Sequence, residues 1–196
     1  MDATTLKIID VIILIFSVVV HEVSHGLMAE KFGDDTAREA GRITLNPIPH
    51  IDPIGSILMP FLVGIGAARP VPVNFDNLRP QRLGMAMVAL AGPLSNFALA
   101  ILFLFIIRLG LASDFAAVVL GRGIFLNIAL GVFNLIPIPP LDGSKVLLSV
   151  APRSWQENIL KWESYGFIVL IILVMTGLLS VLVEPLYRVV LSVIVG

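Results

Sequence analysis

Apolar positions run almost unbroken from about Thr5 to Ala29, Leu83 to Ile107, Phe115 to Ile136 and Tyr165 to Val183, with polar or proline-rich stretches between them. A helix rises about 1.5 Å per residue and the hydrocarbon core of a bilayer is about 30 Å thick, so each run predicts a membrane-spanning helix. The stretch from Ile54 to Ala68 is also apolar but holds Gly55, Pro60, Gly64 and Gly66, and as a straight helix it would reach only roughly 22 Å. It reads as re-entrant or short. Arg42-Ile43-Thr44-Leu45 alternates in the manner of a strand and is followed by the turn-forming pairs Asn46-Pro47 and Asp52-Pro53. The last run is followed by Pro185 and a final apolar piece to Gly196. The expected fold class is therefore an all-α polytopic membrane protein. It has about four full transmembrane helices, the short apolar segment 54–68 and a small strand or loop element near 40–50.

Composition agrees with this pattern. Hydrophobic residues make up 57% of the chain and charged residues 14%, with a mean hydropathy of +0.97, far from the composition of a soluble domain. In 196 residues the spans leave no room for a separate soluble domain of normal size. Net charge is −1 and no basic tract exceeds two residues, so no nucleic-acid partner is expected. The absence of cysteine excludes disulfides and thiol catalysis. No small-residue cleavage pattern follows the first apolar run, so that run is expected to stay in the mature chain.

Chemistry enters inside this first run, at His21-Glu22-Val23-Ser24-His25. On a helix the two imidazoles lie four residues apart on one face, close enough to share one Zn²⁺. Glu22 lies beside them and can take a proton from a metal-bound water and return it to a leaving amine, the chemistry of peptide hydrolysis. Among apolar neighbours an unpaired Glu22 would cost about 2.5 to 3.5 kcal/mol on insertion scales, so a task is expected of it. Two histidines leave a catalytic zinc one protein ligand short. His50, Asp52, Asp142, Glu157, Glu163 and Glu184 are the candidates for the third. Asp142 is preferred because Pro137, Pro139 and Pro140 break the helix before it, and broken backbone at membrane depth is tolerated only inside protein or against a wet cavity. Gly143 beside it permits close approach of another backbone. The alternative role for Asp142 is to cap a short helix over Gly143–Val150.

These residues resemble a known family. The His21–His25 motif, the segment Gly92-Pro93-Leu94-Ser95-Asn96, and Asn134 followed by Leu141-Asp142-Gly143 occur in the order found in site-2 proteases, the intramembrane zinc metalloproteases, and the likeness runs from about residue 10 to 150. It implies that His21, His25 and Asp142 bind one Zn²⁺ per chain and that Glu22 activates water. It also implies that Asn134 helps hold substrate or the oxyanion. Asn96 is a second candidate for holding substrate or the oxyanion, though it is read chiefly as a side chain that packs and bonds near the site. The chain has neither a PDZ insertion nor a CBS extension and is similar to compact members. The expected function is an intramembrane zinc metalloendopeptidase, EC 3.4.24, that cuts membrane-spanning protein substrates within or near the bilayer. The rivals are a small ion or metal transporter and a non-catalytic scaffold that binds helices. Residues 1–196 read as one membrane-embedded domain, with a catalytic core over about 5–152 and C-terminal helices over 153–196. The expected partners are a substrate transmembrane helix and the lipid bilayer, with homo-oligomerisation left open.

Ligation constrains topology. The histidines sit near the exit of the first span and Asp142 beyond the exit of the third, so both exits must share a leaflet and 54–68 must return to its starting face. The basic residues from Lys31 to Arg82 and from Lys145 to Lys161 then share one side, against Lys7, Arg108 and Arg188, whereas a full crossing splits the same charges seven against five. The positive-inside rule places the site nearer the cytoplasm of a multi-pass cell-membrane protein. His50, Arg42 and Asn46 are candidate loop or gate residues, with Arg42–Leu45 a candidate edge for an extended peptide. Arg122 should snorkel or pair across helices, and Gly121, Gly123 and Gly131 should mark close helix packing.

Overall fold

A computed structural model describes residues 1–52, 68–152 and 165–196. Its helices are α1 (Ala3–Lys31), α2 (Thr36–Glu39), α3 (Gln81–Arg108), α4 (Asp114–Asn134), α5 (Asp142–Val150), α6 (Tyr165–Met175) and α7 (Leu178–Val195), with a 3-10 turn at Ile48–His50. No strand occurs among the described residues. By length and apolar content α1, α3, α4 and α7 can each cross a membrane, so the chain is a multi-pass membrane protein.

Packing follows a four-residue repeat on three of these helices. Ser17, His21, His25 and Ala29 are buried along α1, Gly84, Val88, Gly92, Asn96 and Ala100 along α3, and Gly123, Asn127 and Gly131 along α4. Residues four apart form one ridge, and ridges of small and polar residues let helix backbones approach closely. A Cβ added at Gly123 would lie 2.8 Å from the Phe103 ring, and one at Gly131 would lie 2.5 Å from Phe97. Gly121, expected to belong with them, faces open space instead. The opposite face of α1 exposes Ile8, Ile12, Ile15 and Phe16, the surface a lipid-facing helix presents. Ala100, Ile124, Ile128 and Val132 form a core between α3 and α4, covered by Val183, Tyr187 and Leu191 of α7. Arg122 does pair across helices: its Nε donates to Asp10 Oδ1 of α1 at 2.5 Å.

The exit of α1 and the entry of α3 lie at one end of the molecule. The Arg79 amide donates to the Phe32 carbonyl at 2.9 Å. Asp34, fully buried, accepts from the Asn74 amide at 2.7 Å and from Asn77 Nδ2 at 2.9 Å. Burial works to raise the Asp34 carboxyl, but hydrogen bonds from Thr36, Asn77 and Asn74 outweigh it and hold the group below its ordinary value. The expectation of a re-entrant segment at 54–68 falls outside the described residues, save Ala68. Its flanks nevertheless meet, because the Arg69 amide donates to the His50 carbonyl at 2.9 Å.

Two sequence expectations are corrected here. Arg42–Leu45 is not a strand. The facing stretch Arg69-Pro70-Val71-Pro72 lacks backbone donors at its two prolines, and the Val71 amide is engaged by Glu22, so little remains for a ladder. Side chains join the two stretches instead, Arg42 Nη2 donating to the Arg69 carbonyl at 2.7 Å and the Pro70 carbonyl at 3.3 Å. The last apolar run is also not one helix. It breaks at Gly177, whose φ of +74° lies in the left-handed region that favours glycine, so α6 stops there and Pro185 lies inside α7.

Candidate metal centre

α1 carries His21 and His25 one turn apart toward the protein interior, with ring centroids 4.7 Å apart. Each ring is oriented through Nδ1. The His25 Nδ1 lies 2.7 Å from the Val88 carbonyl of α3, which can only accept, so this nitrogen carries the proton. The His21 Nδ1 lies 2.7 Å from Asn96 Oδ1. Asn96 turns its amide nitrogen away, donating to Asn127 Oδ1 at 3.1 Å, so its oxygen faces the ring and His21 too is protonated at Nδ1. In neutral imidazoles both Nε2 atoms are then bare.

These bare nitrogens converge. His21 Nε2 and His25 Nε2 are 3.0 Å apart, and Asp142 Oδ2 lies 3.1 Å from the first and 3.3 Å from the second. Asp142 is the first residue of α5, with Leu141 as its N-cap, and α5 begins there because Gly143 lets the chain fold back. A Cβ at Gly143 would meet the Leu135 carbonyl oxygen at 2.2 Å. Asp142 Oδ2 is buried and has no hydrogen-bond partner. Three acceptors without a proton between them repel, and a shared positive charge, a proton or a metal ion, relieves that. Tetrahedral zinc with bonds of about 2.0 to 2.1 Å sets its ligand atoms about 3.3 Å apart, close to the spacing here. His21, His25 and Asp142 are the one group of potential metal ligands among the described residues. Gly92 covers them, since a Cβ there would sit 2.4 Å from His25 Nε2.

Glu22 follows His21 directly on α1, roughly a quarter turn round the helix from it. Its Oε2 accepts from the Val71 amide at 2.8 Å. The 69–71 backbone that supplies this donor is held by Arg42, which is 8% exposed. Burial works against the Arg42 charge and lowers its pKa, the neighbouring Arg69 adds to this, and Glu22 opposes it. Arg42, Arg69, Pro70 and Val71 line an open groove of about 570 Å³, which meets Glu22 only through its hydrogen-bond partner Val71.

Of the other expected residues, Asn96 is fully buried, and its Oδ1 lies against His21 Nδ1. Asn134 ends α4 and its Nδ2 donates to the Leu130 carbonyl at 3.0 Å. His50 is buried as a strut, its Nε2 donating to the Thr44 carbonyl at 3.0 Å, while Asn46 Oδ1 accepts from the Ile48 amide at 3.1 Å. Asn127 and the Val88 carbonyl were not singled out from sequence, and Gly92 was named only as part of the segment 92–96. An asparagine amid apolar residues on the third run was the available signal for Asn127.

Fold and site together define a multi-pass membrane protein with a buried His₂-carboxylate ligand set and an adjacent glutamate. Residues 111–177 match the profile of Peptidase family M50. YwhC of Bacillus subtilis, named as a zinc metalloprotease, is 43% identical over 185 residues, 90% of this chain and 84% of that protein. Rip2 of Mycolicibacterium smegmatis, similarly named, is 32% identical over 177 residues, 85% of this chain and 66% of that protein. MJ0392 of Methanocaldococcus jannaschii, named a zinc metalloprotease, is 27% identical over 144 residues, 74% of this chain and 34% of that protein. No solved structure matches. The chain belongs to peptidase family M50, the site-2 protease family of zinc metalloproteases. The transporter and scaffold readings gain no support from these likenesses.

Proposed function

We propose that the chain hydrolyses peptide bonds of membrane-spanning proteins at a centre formed by His21, His25 and Asp142, with Glu22 as the proton carrier. The observation that carries this reading is the meeting of two Nε2 lone pairs and a buried carboxylate oxygen within 3.3 Å of one another. Zinc held there supplies Lewis acidity to the scissile carbonyl and to water. Glu22 has Oε2 engaged by Val71, so Oε1 takes the proton of the attacking water and hands it to the leaving amine. The Val71 amide keeps the carboxylate in one orientation while it does so.

Asn134 donates to the substrate carbonyl or its developing oxyanion after releasing Leu130, a contact of the kind worth about 2.7 to 4 kcal/mol in other hydrolases. The groove lined by Val71 receives the unwound substrate chain, with Arg42, Asn46 and His50 holding the loop that borders it. A helix must open before it can be cut, because its backbone carbonyls are otherwise engaged. Residues 1–196 act as one domain, and the site opens toward the cytoplasmic leaflet, in keeping with the basic residues around the exits of α1 and α4.

Glu22→Gln tests this reading. The variant is expected to keep its zinc and lose peptide cleavage by several orders of magnitude, measured on a transmembrane reporter substrate in detergent or vesicles. Full cleavage by that variant would overturn the proposal.

A further inference from the structure

Two imidazoles meet at the metal centre, and they are oriented by different means. His25 is held by a backbone carbonyl, which cannot reverse. His21 is held by Asn96, whose amide can rotate by half a turn and exchange acceptor for donor. We infer that Asn127, on α4, is the positioning residue that fixes which nitrogen of His21 is offered to the metal, acting through Asn96. The metal half of this inference rests on His21 being a ligand, as proposed above.

The argument runs outward from a fixed point. The Gly123 carbonyl can only accept, and Asn127 Nδ2 donates to it at 2.9 Å. The Asn127 oxygen must therefore face Asn96, which meets it with Nδ2 at 3.1 Å. With its nitrogen committed, Asn96 has only Oδ1 left for His21 Nδ1, 2.7 Å away. A proton must then sit on Nδ1, and the Nε2 lone pair faces His25 and Asp142. Both asparagines have no exposed surface, so water cannot replace either bond. The remaining restraint on Asn96, from Nδ2 to the Ser17 carbonyl, is long at 3.4 Å. Without the Asn127 oxygen the Asn96 amide can turn over and donate to Nδ1. His21 then carries its proton on Nε2, where a metal would have to bind.

An amide chain also does this without adding charge. A carboxylate partner would orient the ring equally well but would add a further negative group beside Asp142 and Glu22. Orientation by two amides leaves Asp142 as the single anionic group of the ligand set.

Asn127→Leu and Asn127→Asp separate this role from simple packing. Leucine keeps the bulk and removes the acceptor. A buried carboxyl introduced by Asn127→Asp stays protonated, so its hydroxyl donates to Gly123 and its carbonyl accepts from Asn96, reproducing both bonds. In the full chain, purified in detergent, chelator competition is expected to show Asn127→Leu binding zinc roughly 10- to 100-fold more weakly than the parent, with Asn127→Asp close to the parent. In the metal-free proteins, held at a pH high enough that the imidazoles carry a single proton each, ¹⁵N shifts of the His21 ring should report the Nδ1–H form in the parent and in Asn127→Asp, and an added Nε2–H population in Asn127→Leu. If Asn127→Leu does not fold, Asn127→Ala takes its place. Parental zinc affinity and tautomer in the apolar variant, or equal damage in both variants, would overturn the inference. A parent that binds no zinc would strike the ligand reading instead, and the tautomer measurement would still decide the role of Asn127.

Discussion

Gly92 shows how closely the centre is built. Its backbone passes over the two imidazoles, and a methyl group there would lie 2.4 Å from His25 Nε2 and 2.6 Å from His21 Nε2. Neither ring can retreat without giving up its Nδ1 bond to Val88 or Asn96. Gly92→Ala should therefore lower zinc from one per chain to a small fraction of that by metal analysis, while helical content by circular dichroism stays near the parent value. A variant that keeps full zinc would contradict the packing described for α1 and α3. At this scale the sequence was informative for His21 and His25, because a spacing of four puts side chains on one helix face whatever the surroundings. Asp142 was legible because prolines next to an acidic residue have few other uses in an apolar stretch. Gly92, Val88 and Asn127 were not, since their roles depend on which helices pack together and at what register.

The elements are held at the site end by side chains more than by ladders. Asp34 ties the exit of α1 to the stretch that enters α3, and Arg42 ties residues 69 and 70 to the loop before them. The sequence pattern suggested a strand at Arg42–Leu45, and alternation alone could not reveal that the facing chain lacks donors at Pro70 and Pro72. The Asp34 clasp carries a pH signature. Its folded pKa lies below the unfolded value of about 3.9, so its contribution is present in full above that value and is lost as pH falls through the depressed folded value. Parent and Asp34→Asn should differ by about 1 to 3 kcal/mol in unfolding free energy near neutral pH. The gap should narrow below pH about 4. Thermal unfolding in detergent across that range checks this, and a gap unchanged down to pH about 2 would contradict the clasp.

For the molecule as a whole, three of the four long apolar helices were plain from run length, and the ligand set then dictated how they must be threaded. The Arg79–Phe32 and Arg69–His50 backbone bonds bring the exit of α1, the flanks of 54–68 and the entry of α3 to one end. Topology reporters fused after Phe32 and after Arg69 should therefore appear on the same face of the membrane, the face proposed above to be cytoplasmic. Reporters on opposite faces would contradict the threading. The break at Gly177 was hidden because an apolar run gives no sign of where one residue adopts a positive φ.

The central claim is that α1 and α5 bring their side chains to one cation. Metal analysis of the protein purified in detergent, beside His21→Ala and Asp142→Ala, tests it most directly. One zinc per chain in the parent, lost in both variants, is the predicted result, and zinc retained at full stoichiometry after removal of Asp142 would contradict it.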